Sequence, residues 1–402
     1  MHVSDLSLED FRSYRRLVVS LEPGVTALIG PNGQGKTNLI EAVDYLSGLS
    51  SHRAGADTAL VRRAGPGEEQ PGGAVLRARV VHGRRPTVME LEIIAGRANR
   101  ARLNRGSVRP RELLGVLRTV LFSPEDLALV REEPAGRRRL LDDLAVALRP
   151  ALAGVRAEHD KILAQRAGLL RSARAARTPT ASMLSTLEVW DAQLAAAAAR
   201  LIAARIDVVI RMRPWVAASY ERVSEGRSVA RLAYRSSLLD HEGGSQSDLA
   251  DEAARDAAEA GLADAAATAA RLESAMTQLR EREIDRGTNL VGAHRDDLAL
   301  FLDALPARGF ASHGEQWSLA LALRLASYEM LRHDVDAYGG DGEPVLILDD
   351  VFASLDARRR TALVGVVSEA QQTLLTAAVD EDVPDELAGA RLRVSGSRVS
   401  RG

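Results

Sequence analysis

Apolar positions along the chain follow three different spacings. Val3, Leu6 and Leu8, then Leu17, Val18, Val19 and Leu21, form two apolar-rich runs on either side of Phe11-Arg12-Ser13-Tyr14. They predict a β-hairpin over Met1–Leu21. Val25–Ile29 (VTALI) is a short continuous apolar run, as in a buried strand, and Leu39, Ile40, Val43 and Leu46 follow at helical spacing within Asn38–Leu49. Ala74–His82 and Thr87–Ala95 alternate with period two and predict antiparallel strands. Thr119–Ser123 (TVLFS) predicts a further short strand, with Ser123 capping a helix that starts at Pro124-Glu125-Asp126.

From Gly136 the spacing changes to seven for about 150 residues. One series is Leu141, Leu148, Val155, Ile162 and Leu169, and a second is Leu187, Leu194, Leu201, Val208 and Trp215. A third is Leu262, Ala269 and Met276, flanked by Ala265, Leu272 and Leu279. Sevenfold spacing is the seam of coiled-coil-like packing. Pro150 must restart the helix, and the polar stretches Thr178–Thr186 and Gly226–Asp251 interrupt the pattern. The expectation is a short helical arm, running out and back, inserted into another domain. Short strands return at Thr288–Val291, Leu298–Leu302, Val345–Leu348 and Thr373–Thr376, with an amphipathic helix at Trp317–Leu331. The predicted class is α/β, a head of mixed β-sheets flanked by helices. Its first lobe is 1–130, the inserted all-helical arm 131–286, and the return to the head 287–402.

The candidate chemistry begins between the strand Val25–Ile29 and the helix from Asn38. Gly30-Pro31-Asn32-Gly33-Gln34-Gly35-Lys36-Thr37 fits the phosphate-loop pattern G-x-x-x-x-G-K-[ST] at each fixed position. A glycine-rich loop at a helix N-terminus aims backbone N–H groups and the helix dipole at one point, which suits nucleotide phosphates. Lys36 adds a charge on the phosphates, and the Thr37 hydroxyl can ligate Mg²⁺. The chain has only two lysines, Lys36 and Lys161, among 53 basic side chains. An arginine-rich sequence keeps lysine here because a compact ammonium fits where a planar guanidinium does not.

A second half of the site follows late in the chain. Val345–Leu348 ends in Asp349-Asp350, and an acid at the C-terminal end of a buried parallel strand lies where open α/β sheets bind ligands. Asp349 would hold Mg²⁺ through water, and Asp350 would orient or activate the attacking water. Upstream, Ser312-His313-Gly314-Glu315 opens a helix and forms a second phosphate-binding device. One nucleotide does not need two such devices in one chain. Two chains arranged head to tail do, each offering Ser312 and Gly314 to the other's phosphate loop. Two stretches each fit two readings. Arg12 and Tyr14 are either a plugged turn or near the nucleotide, and Gly292–Asp297 is either a solvated turn or near the nucleotide or a dimer interface.

Composition changes this picture little. Hydrophobic residues are 46%, aromatics 3%, and cysteine is absent, which excludes disulfides, zinc fingers and iron–sulfur clusters. No stretch is long and apolar enough to span a membrane, and the start lacks a signal pattern, so a soluble cytoplasmic protein is expected. The net charge of −2 conceals an uneven distribution. Arg53–Arg118 holds 14 arginines against 6 acids, and Asp240–Asp303 holds 15 acids against 6 arginines. Arg97–Arg111 carries six arginines and no acid, either as a solvated face or as a contact to nucleic-acid phosphates. No aromatics are interleaved with them, which argues against a single-strand stacking platform.

The motifs in this order resemble the ABC-type ATPases, with Ser312–Gln316 as signature motif, Leu346–Asp350 as Walker B and Ala353–Asp356 as D-loop. Within them the chain resembles the RecF family of DNA replication and repair proteins. The likeness is carried by FRSY (Phe11–Tyr14), GPNGQGKTNLIEA (Gly30–Ala42), FSPEDLALV with RRRLLD (Phe122–Asp142), VGAHRDDL (Val291–Leu298), ASHGEQWSLALALRLA (Ala311–Ala326) and LILDDVFASLD (Leu346–Asp356). The resemblance implies a cytoplasmic DNA-binding ATPase, slow and DNA-stimulated, that dimerises on ATP at gapped or junction DNA. It implies work with RecO and RecR in loading RecA, replication-fork recovery and support of the SOS response. In that frame Lys36, Asp349 and Asp350 are catalytic. Gly30, Pro31, Asn32, Gly33, Gln34, Gly35, Lys36, Thr37, Asn38 and Arg12, with Ser312, Gly314 and Glu315, bind ATP, and Thr37 and Asp349 hold Mg²⁺. The chain departs from the ABC pattern at Pro124-Glu125, where glutamine is usual, and at Asp350, where glutamate is usual. It departs again at Thr376, where a switch histidine is usual, and at His313 within the signature. A transporter ATPase subunit is an alternative, but 276 positions separate Lys36 from Ser312, and its two motifs lie far closer. An SMC-type chromosome-organising ATPase is another, but arm helices of roughly 35 residues reach only about 50 Å.

Overall fold

The computed structural model describes residues 1–51, 53–176, 180–224, 226, 228–244, 249–335 and 340–401. In chain order it begins with β1 (His2–Phe11), β2 (Tyr14–Ser20), β3 (Gly24–Ile29), α1 (Lys36–Gly48), β4 (Gly73–His82), β5 (Arg85–Ile94), β6 (Arg100–Leu103), β7 (Gly106–Val108) and β8 (Thr119–Phe122). There follow α2 (Ala128–Arg131), α3 (Ala135–Leu148), α4 (Leu152–Ala175), α5 (Ala181–Val223), β9 (Ala230–Arg235), α6 (Ser237–His241), α7 (Glu252–Ala263) and α8 (Ala265–Arg286). The chain continues through β10 (Asp297–Leu302), β11 (Leu305–Pro306), a tight turn α9 (Ala307–Phe310), α10 (His313–Arg332), β12 (Val345–Leu348), α11 (Ala357–Glu369), β13 (Gln372–Ala377), β14 (Gly389–Ser395) and β15 (Arg398–Arg401). Among the described residues no helix is long and apolar enough to cross a membrane.

The chain forms two compact units. The first holds Met1–Leu127 and Ala320–Gly402, and the second holds Ala128–Glu221 and Gly226–Leu319. The expected boundary at 130 lies close to Ala128. The second unit, however, runs on past 286 to include β10, β11 and the start of α10.

The first unit has two six-stranded sheets. One has the order β2-β1-β4-β5-β6-β7 and is antiparallel throughout. The other has the order β15-β14-β3-β13-β12-β8, parallel except at its β15 edge. The N-terminal hairpin therefore forms as expected but joins the antiparallel sheet, separate from the phosphate-loop strand that follows it. A common core holds Val3, Leu6, Leu8, Leu76 and Leu91 from the first sheet and Leu28, Ile347 and Leu374 from the second. Leu39, Ile40, Val43 and Leu46 of α1 lie within it, so both flanks of that helix are buried and its position is fixed. The acidic run Asp380–Glu386 lies ahead of β14. Its Asp380 accepts from Arg391 at 3.0 Å and from Arg393 at 2.5 Å.

The second unit is mostly helical. The seam of α5 buries Leu187, Leu194, Leu201 and Val208, but the fifth position moves from Trp215, half-buried, to Val216, fully buried. A straight helix falls about 20° behind a sevenfold repeat per heptad, so four heptads shift the seam by nearly one residue. Pro150 separates α3 from α4 as expected. Three other expectations fail. Thr288–Val291 is irregular, not a strand, because Asn289 faces inward, 4% exposed, and accepts from Arg166 at 2.6 Å. The stretch Gly226–Asp251 hides a strand: β9 pairs with β10, Tyr234 opposite Leu298. Helix α10 starts four residues before Trp317. Of the interrupting stretches, 178–179, 227 and 245–248 lie outside the described residues.

The turn Gly292–Asp297 is a structural joint of the second unit. Asp297 takes both ends of the Arg137 guanidinium, at 2.8 and 2.9 Å. Asp296 accepts from the Tyr234 hydroxyl at 2.7 Å and from the Ser237 backbone N–H at 2.7 Å. Arg205 chelates Asp142 and donates to the carbonyl of Ala293 at 2.5 Å.

Candidate functional site

The phosphate loop leaves β3 in a channel that admits no side chain at its first position. A Cβ on Gly30 would lie 2.1 Å from the Val394 carbonyl oxygen of β14. At the other end Gly35 has φ 105°, and a Cβ there would meet Ser13 Oγ at 3.0 Å and Tyr14 Oη at 3.1 Å. Both fixed glycines of the motif thus answer to local packing, and Gly35 also to a left-handed backbone. Pro31, Asn32 and Gly33 are exposed along the crest. Gln34 is tied to the β14–β15 turn: its Oε1 accepts from Gly396 N–H at 2.6 Å and its carbonyl from Ser397 N–H at 3.1 Å.

Lys36 opens α1 and is only 3% exposed. Its Nζ donates to the carbonyls of Gly30 at 2.6 Å and Pro31 at 3.3 Å, and to Asn32 Oδ1 at 3.4 Å. The ammonium therefore sits inside the curl of the loop. The Thr37 hydroxyl donates to Asp349 Oδ1 at 3.1 Å, across 312 positions of sequence. β12 lies between β13 and β8 in the parallel sheet, two places from β3, and ends with Asp349. A threonine hydroxyl and a carboxylate side by side are hard oxygen ligands of the kind Mg²⁺ takes, with the remaining positions left to phosphate oxygens and water.

Thr376, at the place of the missing histidine, joins the two acids. Its hydroxyl lies 2.7 Å from Asp349 Oδ1 and 3.1 Å from Asp350 Oδ1, and it accepts from the Asp350 backbone N–H at 2.9 Å. Asp350 holds φ 49°, a left-handed conformation that aspartate tolerates better than most residues. Burial raises the pKa of Asp349. The Thr376 and Thr37 hydroxyls oppose that shift, while the charges of Asp350 and Glu125 add to it. Glu125 and Thr376 stood out in the sequence only as departures from a pattern. In the fold both act on Asp349.

The Arg12-Ser13-Tyr14 turn buttresses the loop. Tyr14 is fully buried and its hydroxyl donates to the Gly35 carbonyl at 3.0 Å. Asn38 donates to Ser13 Oγ at 2.9 Å. Arg12 grips Glu41 of α1 with Nε at 2.9 Å and Nη2 at 2.5 Å, and reaches the Ala59 carbonyl at 3.0 Å. Glu41 also accepts from Ser51 at 2.6 Å, and Arg53 stands 3.7 Å away. The guanidinium of Arg12 is thus engaged with α1 and the loop at Ala59. Glu41, Ser51 and Arg53 were not singled out from the sequence, because nothing in their spacing marks them as partners of Arg12.

In the second unit, Ser312, Gly314 and Glu315 form the start of α10. Ser312 N–H donates to Glu315 Oε2 at 2.8 Å and Glu315 N–H to Ser312 Oγ at 3.4 Å, a reciprocal capping box. This cap is why the helix begins early. Arg131 of α2 donates to Gln316 Oε1 at 2.5 Å and bonds His313 Nδ1. In the first unit, Arg324 of the same helix holds Asp126 at 2.6 and 2.9 Å. Asp126 in turn accepts from Ser123 N–H at 2.9 Å, so the expected Ser123 cap is reversed, with the acid accepting. In the D-loop, Asp356 caps α11 through Arg359 N–H at 2.9 Å.

A phosphate loop whose threonine meets the acid at the end of a parallel strand, beside an antiparallel sheet and with an inserted helical unit, defines the head of an ABC-type ATPase. The family described as RecF/RecN/SMC N terminal domain matches residues 2–386. The DNA replication and repair protein RecF of Beutenbergia cavernae is 56% identical over 406 residues, covering 100% of both chains. The chain belongs to the RecF family. A solved structure of the recombination mediator protein RecF-ATPrS in the RecFOR pathway superposes with TM-score 0.83 at 22% identity, covering 100% of this chain and 98% of that one. A Pyrococcus furiosus Smc head domain, with an extended coiled coil and bound to the C-terminal domain of ScpA, gives TM-score 0.52 at 16% identity over 99% and 96% of the chains. The family resemblance read from the motifs is confirmed. Full-length identity sets the chain with RecF proteins.

Proposed function

We propose that this protein binds ATP with Mg²⁺ at the phosphate loop and hydrolyses it slowly, as the timer of a DNA clamp. The observation that carries the reading is the Thr37–Asp349 hydrogen bond, which joins the two halves of a nucleotide site from opposite ends of the chain. The loop N–H groups and Lys36 would bind the phosphates, Thr37 and Asp349 would hold Mg²⁺, and the ion would screen phosphate charge. Asp350 would orient the attacking water. Thr376 holds both carboxylates, but a hydroxyl is a poor proton acceptor at neutral pH, which supports slow turnover.

Ser312, Gly314 and Glu315 of one copy would close on the ATP of a second copy, head to tail. The capping box supports this role, since Glu315 fixes the Ser312 turn, and Ser312 and His313 are exposed. The dimer would act in the cytoplasm at gapped or junction DNA, with RecR and RecO, in loading RecA, in fork recovery and in the SOS response. Light scattering tests the shared site. A dimer is expected with ATP and Mg²⁺ and a monomer with ADP, and Ser312→Arg should abolish the dimer while nucleotide still binds. A wild-type chain that stays monomeric with ATP, alone and with DNA, would reject it.

For DNA contact the structure divides the basic stretch. On one face of the antiparallel sheet Glu9, Arg77, Glu90 and Arg102 form a ladder across four strands, with Glu9–Arg77 at 3.1 Å and Glu90–Arg102 at 3.0 Å. Arg100 stands 4.0 Å from Glu92. Arg97, Arg105, Arg109 and Arg111 are exposed and have no carboxylate partner among the described residues. The four unpaired arginines are the proposed phosphate contacts. Changing them together to alanine should flatten the salt dependence of double-stranded DNA binding by about 0.9 per lost contact, while Arg100→Ala/Arg102→Ala should leave the slope unchanged. Equal slopes for both variants would reject the division.

A further inference from the structure

Phenylalanine is scarce in this chain, and four of its five copies are core residues. Phe11, Phe122, Phe301 and Phe352 are at most 3% exposed. Phe310 is 66% exposed, and among the described residues no other Phe, Tyr or Trp is presented to solvent in this way. The ring is displayed by a fixed turn. Gly309 before it holds φ 89°, and Ala311 N–H donates to the Ala307 carbonyl at 3.0 Å. Arg308 pairs with Glu133 at 2.6 Å. Two residues further on, the Ser312–Glu315 cap and the Arg131 contacts fix the start of α10.

We infer that Phe310 is an anchor that docks on a second copy of this chain when two heads close on ATP. This rests on the reading of Ser312–Glu315 as the half-site offered to a partner's phosphate loop. If a second copy covers the start of α10, a ring two residues upstream on a braced turn lies within the same covered area. A buried aromatic ring at such an edge removes far more apolar surface from water than its polar neighbours, and aromatic anchors dominate interface energetics. A nucleic acid is the other occupant that could cover an aromatic ring. The turn does not favour it, because its one cation, Arg308, is neutralised by Glu133, and stacking platforms combine rings with positive charge.

The absence of cysteine gives a direct test, because Phe310→Cys carries the only thiol in the chain. Its rate of maleimide labelling should fall at least tenfold with ATP and Mg²⁺ relative to ADP, and Ser312→Arg in the same chain should remove the protection. In parallel, Phe310→Ala should weaken the ATP-dependent dimer about tenfold in light scattering across a dilution series, while its affinity for a fluorescent ATP analogue stays at the wild-type value. Restoration of the dimer by Phe310→Leu would support an apolar anchor. An unchanged labelling rate in a sample that light scattering shows to be dimeric would overturn the docking and leave the head-to-tail reading intact. Protection that requires DNA and not ATP would overturn it in favour of a nucleic-acid contact. A wild-type chain that never dimerises would sink both, and light scattering separates that case from the others.

Discussion

Lys36→Arg should reduce ATP turnover by on the order of 100-fold or more, although it conserves the charge. Lys36 is 3% exposed, and its ammonium has three oxygen neighbours within the curl of the loop, the nearest at 2.6 Å. An ammonium can turn its three donors from those oxygens to phosphate oxygens without changing the volume it fills. A guanidinium is planar and wider, and its donors point outward in a fixed fork. It would have to displace the Gly30 carbonyl, at a glycine packed so close to β14 that even a Cβ would lie 2.1 Å from the Val394 carbonyl oxygen. The check is phosphate release at saturating ATP, with far-UV circular dichroism to show that the fold persists. Lys161→Arg, on an exposed position of α4, is the control and should change neither. If Lys36→Arg keeps more than a third of wild-type turnover, the loop does not need a compact ammonium and its reading as the phosphate site is wrong.

The reason this site could be read from the sequence is that each of its halves is local. A strand, a glycine loop and a helix start occupy consecutive residues, and so do the apolar run of β12 and its terminal acids. Local patterns also gave the hairpin Met1–Leu21 and the strands Ala74–His82 and Thr87–Ala95. What failed to show was pairing at a distance. Strand β9 has no neighbour within its own stretch and is stabilised by β10, more than 60 positions later, so its polar surroundings read as a linker. Thr288–Val291 looks apolar enough for a strand, but Asn289 within it serves a buried arginine 123 positions away. The partners of Arg12 were hidden for the same reason. Glu41 lies on the far side of the phosphate loop in sequence and against Arg12 in space.

The sign of a charged residue could be read from the sequence, but whether it is paired could not. Arg97–Arg111 reads as one basic stretch, yet the sheet register sets Arg102 opposite Glu90 and Arg100 opposite Glu92. Those two arginines are paired across the sheet, and Arg97, Arg105, Arg109 and Arg111, outside the strands, have no carboxylate partner among the described residues. Gly292–Asp297 is the converse case. Its charged residues suggested a surface site, and the fold holds Asp296 and Asp297 on Tyr234, Ser237 and Arg137 instead.

The largest effect on stability is expected at Arg166. This side chain is 0% exposed and sends each guanidinium nitrogen to a different partner at 2.6 Å: Nε to Asp191, Nη1 to Asn289 and Nη2 to Glu283. Asp191 is 1% exposed and Glu283 0%, so α4, α5 and α8 are pinned through one buried cation between two buried anions. Taking three charges out of water costs about as much as their attraction returns, so the cluster adds little net stability over an apolar core of equal volume. Breaking it is different. Arg166→Leu leaves two carboxylates in a dry place, with only Arg280 and the Leu290 N–H among the described residues to answer them, at 3.0 and 2.7 Å. The expected loss is about 3–5 kcal/mol in urea unfolding followed by circular dichroism. The compensated variant Arg166→Leu/Asp191→Asn/Glu283→Gln should recover most of it, because neutral amides still accept from Arg280 and Leu290. If the single variant loses less than about 1 kcal/mol, as for a surface ion pair, the cluster is solvated and does not pin the three helices. If the triple variant is no more stable than the single one, packing around the arginine stem decides the loss, and the stranded charges do not.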